Sequence, residues 1–143
     1  MLRKGIKKIL APVDESTRSQ RIVERAAEMA ETFHAKVILL HVRQKVPDIL
    51  GEPYYQKVLN QYLEKAETIT APLKKQLEES GVDHEVLILE GNPAEAIVDA
   101  AGDEKCDLIV MGSRGLSDFQ GMALGSVSHK VIHAMDRLIL LVP

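Results

Sequence analysis

The sequence predicts an α/β fold in which one parallel sheet is covered on both faces by helices. Three observations predict it. Five short runs of aliphatic and β-branched residues alternate with four stretches whose apolar residues recur at helical spacing. Runs such as Leu108 to Met111 carry no polar alternation, which suits strands buried from two sides. The 143 residues, 45% hydrophobic and 27% charged, fit one domain able to bury about two-thirds of the surface its unfolded chain exposes. Residues 1–143 are therefore read as a single domain, with no internal repeat, low-complexity tract or linker.

The first strand is Lys8 to Val13, followed by a helix from about Ser19 to Phe33 whose one face holds Ile22, Val23, Ala26, Ala27, Ala30 and Phe33. Thr17 and Gln20 have capping-box spacing for that helix. Lys36 to Val42 is the second strand. Arg43 to Pro53, with Pro47, Gly51 and Pro53, is the longest irregular segment. A polar helix then runs from about Tyr54 to Ser80 and ends at Gly81, with Pro72 expected to kink or split it. The third strand is His84 to Leu89. After it Asn92 caps a helix, Pro93 takes the first position and Glu95 the third, so the helix Ala94 to Ala101 has the clearest start in the chain. Strand Leu108 to Met111, a glycine loop, helix Val127 to Met135 and strand Leu138 to Val142 complete the alternation.

The glycine loop carries the chemistry. Gly112, Ser113, Arg114 and Gly115 are followed, nine residues on, by Gly125 and Ser126. Glycines remove side chains where backbone must approach a ligand. A helix start brings amides without intrahelical partners and the positive end of a dipole to the same place, beside a serine hydroxyl. That combination suits a polyanion; the other reading is that Gly112, Gly115 and Gly125 punctuate a surface loop. Neither G-x-x-x-x-G-K-[ST] nor G-x-G-x-x-G occurs, which disfavours a P-loop NTPase and a dinucleotide dehydrogenase. Open parallel sheets bind ligands beyond the carboxyl ends of strands, and both Asp14 and Gly112 lie at that edge.

Composition narrows the partners. Aromatic residues make up 3% and there is no Trp, which argues against a stacking platform for single-stranded nucleic acid. A net charge of -3 argues against general DNA binding, and leaves any phosphate affinity to local donors. Cys106 is alone, so no internal disulfide forms and a reducing, cytoplasmic setting is expected. The basic start is followed by an apolar run that ends at Asp14, too short for a signal peptide, and no segment reaches the roughly 18 apolar residues of a membrane span.

The pattern G-x2-G-x9-G-S, following a strand and preceding a helix, stands with Ala11, Pro12, Val13, Asp14, Glu15 and Ser16 at the first strand end and His41 and Val42 at the second. Over nearly its full length the chain resembles the universal stress proteins of the ATP-binding type. The resemblance implies a Rossmann-like, adenine nucleotide alpha hydrolase-like fold with sheet order 3-2-1-4-5. It places adenine and ribose near Pro12, Val13, Asp14 and the backbone of Val42, with Ser16 and Met111 in the same binding set. Phosphates would meet Gly112, Ser113, Arg114, Gly115, Gly125, Ser126 and Val127. The ligand is expected to be ATP, or ADP or AMP, with Mg²⁺. Asp14 beside a triphosphate meets a repulsion of roughly 4 kcal/mol at about 4 Å and an effective dielectric of 20. It is offset if Asp14 bonds the adenine or ribose, or if Mg²⁺ lies between; otherwise Asp14 caps the following turn.

The function implied is a nucleotide-dependent switch or sensor in the stress response, with slow or partner-dependent hydrolysis at most. A slow ATPase and a nucleotide-independent dimeric interaction module are the alternatives. In the sensor reading, Arg43 to Pro53 and the helix after it report occupancy to a partner protein. Members often carry Cys-Pro-Val before the last strand, where this chain has Asp136, Arg137 and Leu138. Leu138 to Val142 is expected at a sheet edge, and pairing with a second copy would make a homodimer.

Other residues read as structural. His129 and His133 are four apart on one helix, but the Glu of H-E-x-x-H is missing and no third ligand is in reach, so they are assigned to a partly exposed helix face. His41 is read as a packed or hydrogen-bonded residue, and Cys106 as inert. For hydrolysis only Arg114, Lys130 and Asp14 are candidates, and nothing arranges them as an efficient hydrolase.

Overall fold

The structure, a computed structural model, describes residues 5–115 and 123–143. Its elements are β1 (Lys8–Val13), α1 (Arg18–Phe33), β2 (Lys36–Arg43), α2 (Tyr54–Ser80), β3 (His84–Glu90), α3 (Pro93–Asp103), β4 (Leu108–Gly112), α4 (Ser126–Ala134) and β5 (Leu138–Val142), with a 3-10 turn at Asp48–Leu50. The five strands form one sheet in the order β3-β2-β1-β4-β5, and every pairing is parallel.

Successive side chains of a strand point to opposite faces, so each central strand feeds two cores. On one face Ile9, Ala11, Val37, Leu39, Leu108 and Val110 meet Ile22, Val23, Ala26 and Ala30 of α1 and Leu73 and Leu77 of α2. On the other, Leu10, Ile38, Leu40, Ile109 and Met111 meet Ala94, Ile97, Ala100 and Ala101 of α3 and Val131 of α4. Helices thus cover both faces. The small residues of α1 and α3 let those helices lie close on the sheet.

The ends of elements show which local signals held. Asn92 Oδ1 accepts the Glu95 amide at 3.1 Å with Pro93 in the first turn, as its sequence predicts. The capping box at Thr17 and Gln20 does not form: Thr17 makes no side-chain cap and already has helical dihedrals. Pro72 does not split α2, which runs unbroken from Tyr54 to Ser80. Ala66, Thr70, Leu73 and Leu77 are buried along its second half, and that tertiary packing outweighs the hydrogen bond that proline removes. Strand β5 lies at the sheet edge, with Leu138 61% exposed.

Candidate functional site

The order reverses between β1 and β4, which pair directly while their chains continue to opposite sides of the sheet. Such a reversal leaves a crevice beyond the carboxyl ends of the two strands. A cleft of about 380 Å³ occupies it.

Four pieces of chain bring residues singled out from the sequence to the cleft wall. The end of β1 supplies Pro12, Val13, Asp14 and Ser16; β2 supplies Val42; the end of β4 and its loop supply Met111, Gly112, Arg114 and Gly115; the first turn of α4 supplies Ser126 and Val127. Eleven of the residues singled out from the sequence are therefore brought together. Ser113 and Gly125 are not part of the wall. The Ser113 N–H donates to Val142 O at 2.9 Å and its carbonyl accepts the Gly125 N–H, so these two residues clasp the ends of the glycine loop to each other and to β5. The Gly125 amide, expected to meet phosphate, is thereby engaged within the protein. Gly125 itself is extended at φ -77° and ψ 166°, a conformation open to any residue.

Gly112 is needed for a reason the sequence did not disclose. A Cβ there would lie 2.9 Å from the backbone oxygen of Arg114 and 3.4 Å from Ile22 Cδ1. The loop folds back onto its own strand, and only glycine leaves room for it.

Asp14 holds the other rim. Its backbone N–H donates to Ser19 Oγ at 3.1 Å, the same hydroxyl donates to Asp14 O at 2.8 Å, and Asp14 Oδ1 accepts the Ser16 N–H at 2.8 Å. The carboxylate therefore closes an Asx turn while standing on the cleft wall, so the turn-capping reading holds and does not exclude contact with a ligand. Among the described wall residues it is the one acidic side chain, and Arg114 is the one basic side chain.

Several participants were missed in the sequence. Ile22, Leu40, Pro93 and Ile97 give the cleft an apolar floor, and Gln44 and Ser128 add polar groups. Ser128, 2% exposed, donates from Oγ to Gly112 O at 2.6 Å and pins α4 to the end of β4. Arg18 reaches Gly115 O at 3.1 Å from the start of α1. The partners of Arg18 and Ser128 are distant in sequence, and no local pattern announces them.

A smaller cavity of about 160 Å³ shares Asp14, Val42 and Gln44 with the cleft and is walled by His41 and by Tyr62, Lys65, Ala66 and Ile69 of α2. His41 Nδ1 donates to Val13 O at 3.1 Å, the structural role expected of it. Lys65 Nζ pairs with Glu15 Oε2 at 3.5 Å across this cavity, an exposed ion pair. Cys106 is buried, and desolvation pushes its thiol up to about 11, which leaves little thiolate at neutral pH. No described helix is long and apolar enough to cross a membrane.

Comparison with known proteins extends this picture. A model of the universal stress protein family matches residues 5–143. A universal stress protein of Thermus aquaticus is 41% identical over 137 residues, covering 95% of this chain and 98% of its own. Universal stress protein MJ0577 of Methanocaldococcus jannaschii is 32% identical over 152 residues, covering 95% and 94%. The solved structure of MJ0577 matches with a TM-score of 0.85 at 33% identity, over 96% of this chain and 95% of that one. A solved universal stress protein in complex with cAMP matches with a TM-score of 0.79 at 26% identity, over 98% and 99%.

Proposed function

The chain belongs to the universal stress protein family, and from that premise we propose that its cleft binds an adenine nucleotide, ATP or its products ADP and AMP, with Mg²⁺ accompanying the phosphates. One observation carries the reading: the rim of β1, the glycine loop after β4 and the first turn of α4 converge on a single cleft. The complex of a relative with cAMP supports the same ligand class. Its volume lies within the range of about 300–1,000 Å³ typical of small-molecule sites.

Each part has a physical task. The apolar floor of Leu40, Ile97 and Met111 suits a purine ring, whose burial is favourable without charge. The start of α4 presents the positive end of its dipole to the same space, and Arg114 adds a guanidinium, so anionic oxygens belong on that side. At the end of β1 the Asp14 carboxylate would accept from ribose or adenine, or share Mg²⁺ with phosphate oxygens. Ser113 and Gly125 contribute by fixing the loop, Ser16 by fixing Asp14.

As a single domain the protein would work as a nucleotide-dependent switch or sensor in the stress response, in the cytoplasm, with slow or partner-dependent turnover. The cavity against α2 supports a reporting route, because Asp14 walls both spaces and Glu15 is paired to Lys65 of α2. A second copy pairing along β5 would cover its exposed edge and give a homodimer. A monomeric mass by sedimentation at micromolar concentration would remove that part of the proposal.

Titration of nucleotide-stripped protein with ATP by calorimetry, with and without Mg²⁺, is expected to show saturable binding in the micromolar range or tighter. An absence of binding would leave the dimeric interaction module. Unassisted hydrolysis near about 1 per second would make the protein an enzyme rather than a switch.

A further inference from the structure

We propose that His129 and His133 form an exposed chelating site for a divalent transition-metal ion such as Cu²⁺ or Zn²⁺, with water completing the coordination. The two residues are one turn apart on the solvent side of α4, both exposed. Their ring centres are 4.4 Å apart and their planes are inclined at 59°. Imidazole nitrogen binds such metals at about 2.0 Å, and the ring centre lies ~1.1 Å behind the nitrogen, so two imidazoles on one ion place their ring centres about 4.5 Å apart at the right angle of tetragonal Cu²⁺ and about 5 Å apart at the tetrahedral angle of Zn²⁺. The rings already stand at the first of these separations. Coordination needs both side chains to rotate so that a nitrogen of each faces the ion.

His133 lies in the last turn of α4, at the negative end of the helix dipole, while His129 lies in the first turn, so the dipole favours a cation at His133 alone. Imidazole is a preferred ligand of Zn²⁺, Cu²⁺ and Ni²⁺, with Cu²⁺ the tightest in the usual order. Among the described residues no group of three or more His, Cys, Asp or Glu is placed to hold an ion. The site is thus an open two-ligand chelate of intermediate affinity, distinct from a closed structural centre. A bound ion would brace successive turns of a helix only nine residues long, whatever the cleft holds.

The test is a titration of the full chain with Zn²⁺ by calorimetry and with Cu²⁺ by electron paramagnetic resonance, alongside His129→Ala and His133→Ala. Expected are one ion per chain, two nitrogen ligands in the Cu²⁺ spectrum, a metal-dependent rise in Tm, and loss of affinity by about tenfold or more in each variant. Both variants replace exposed side chains, and their metal-free melting curves verify that they fold. Binding that survives both substitutions unchanged, or no saturable binding below millimolar metal, would overturn the site.

Discussion

Replacing Gly112 by valine is expected to weaken nucleotide binding by about 10- to 100-fold, the roughly 1.5–3 kcal/mol that loss of one hydrogen bond to a charged phosphate costs. The cause is local and backbone-borne. A Cβ at this position meets the Arg114 carbonyl oxygen at 2.9 Å, and neither partner is the flexible end of a side chain. Gly112 cannot retreat, because its carbonyl accepts Ser128 Oγ and the following amide is held by Val142. The strain must pass into Arg114 and Gly115, the two loop residues on the cleft wall. The added methyl groups also press on Ile22 Cδ1, at 3.4 Å from the Cβ itself, so a loss of roughly 1–3 kcal/mol in stability accompanies the change. Calorimetry on stripped protein reads the affinity and a melting curve reads the fold. Gly112→Ala, with the same Cβ and less bulk, is expected to show the same ordering with smaller effects. Wild-type affinity in a folded Gly112→Val protein would separate the glycine loop from the ligand altogether.

The fold was legible because it is written in short-range hydrophobicity. Strands buried on both faces need uninterrupted apolar runs, and Ile9 to Val13, Val37 to Leu40 and Leu108 to Met111 supply them. The cap at Asn92 was legible for a similar reason, since donor and acceptor are three residues apart. Signals that compete with tertiary structure misled. Thr17 has the right neighbour for a capping box, yet the turn before α1 is built by Asp14 and Ser19 instead. Pro72 lacks an amide N–H, yet burial of Leu73 and Leu77 keeps α2 continuous. In the site, eleven of the residues that line the cleft were visible from the glycine motif and the strand ends, whereas its apolar floor and the residues that brace it were not. Arg18 and Ser128 act on Gly115 and Gly112 across 97 and 16 residues, contacts that exist only once α1, β4 and α4 are assembled.

The two faces of β2 should be separable by experiment, and Leu39→Ala is the substitution that separates them. Leu39 is fully buried at the centre of the sheet, between Ala11 of β1 and Val86 of β3, and belongs to the core beneath α1 and α2. Its neighbours sit on paired strands that cannot collapse into the space left by the missing atoms. The expected loss is about 3 kcal/mol, within the roughly 2–5 kcal/mol seen for such truncations, and a fall in Tm of about 10 °C follows for a chain of this size. Nucleotide affinity, measured well below the new Tm, should stay within about twofold, because the side chain points away from the cleft. Leu40 points the other way and lines the cleft floor, so Leu40→Ala is expected to lose both stability and affinity. Urea unfolding and calorimetry on the two variants make the comparison. Equal loss of affinity in both would mean that the core behind the sheet sets the geometry of the cleft as strongly as the residues on its wall. A stability loss under about 1 kcal/mol in Leu39→Ala would mean that this core relaxes around a cavity, contrary to the close packing expected of a central parallel strand.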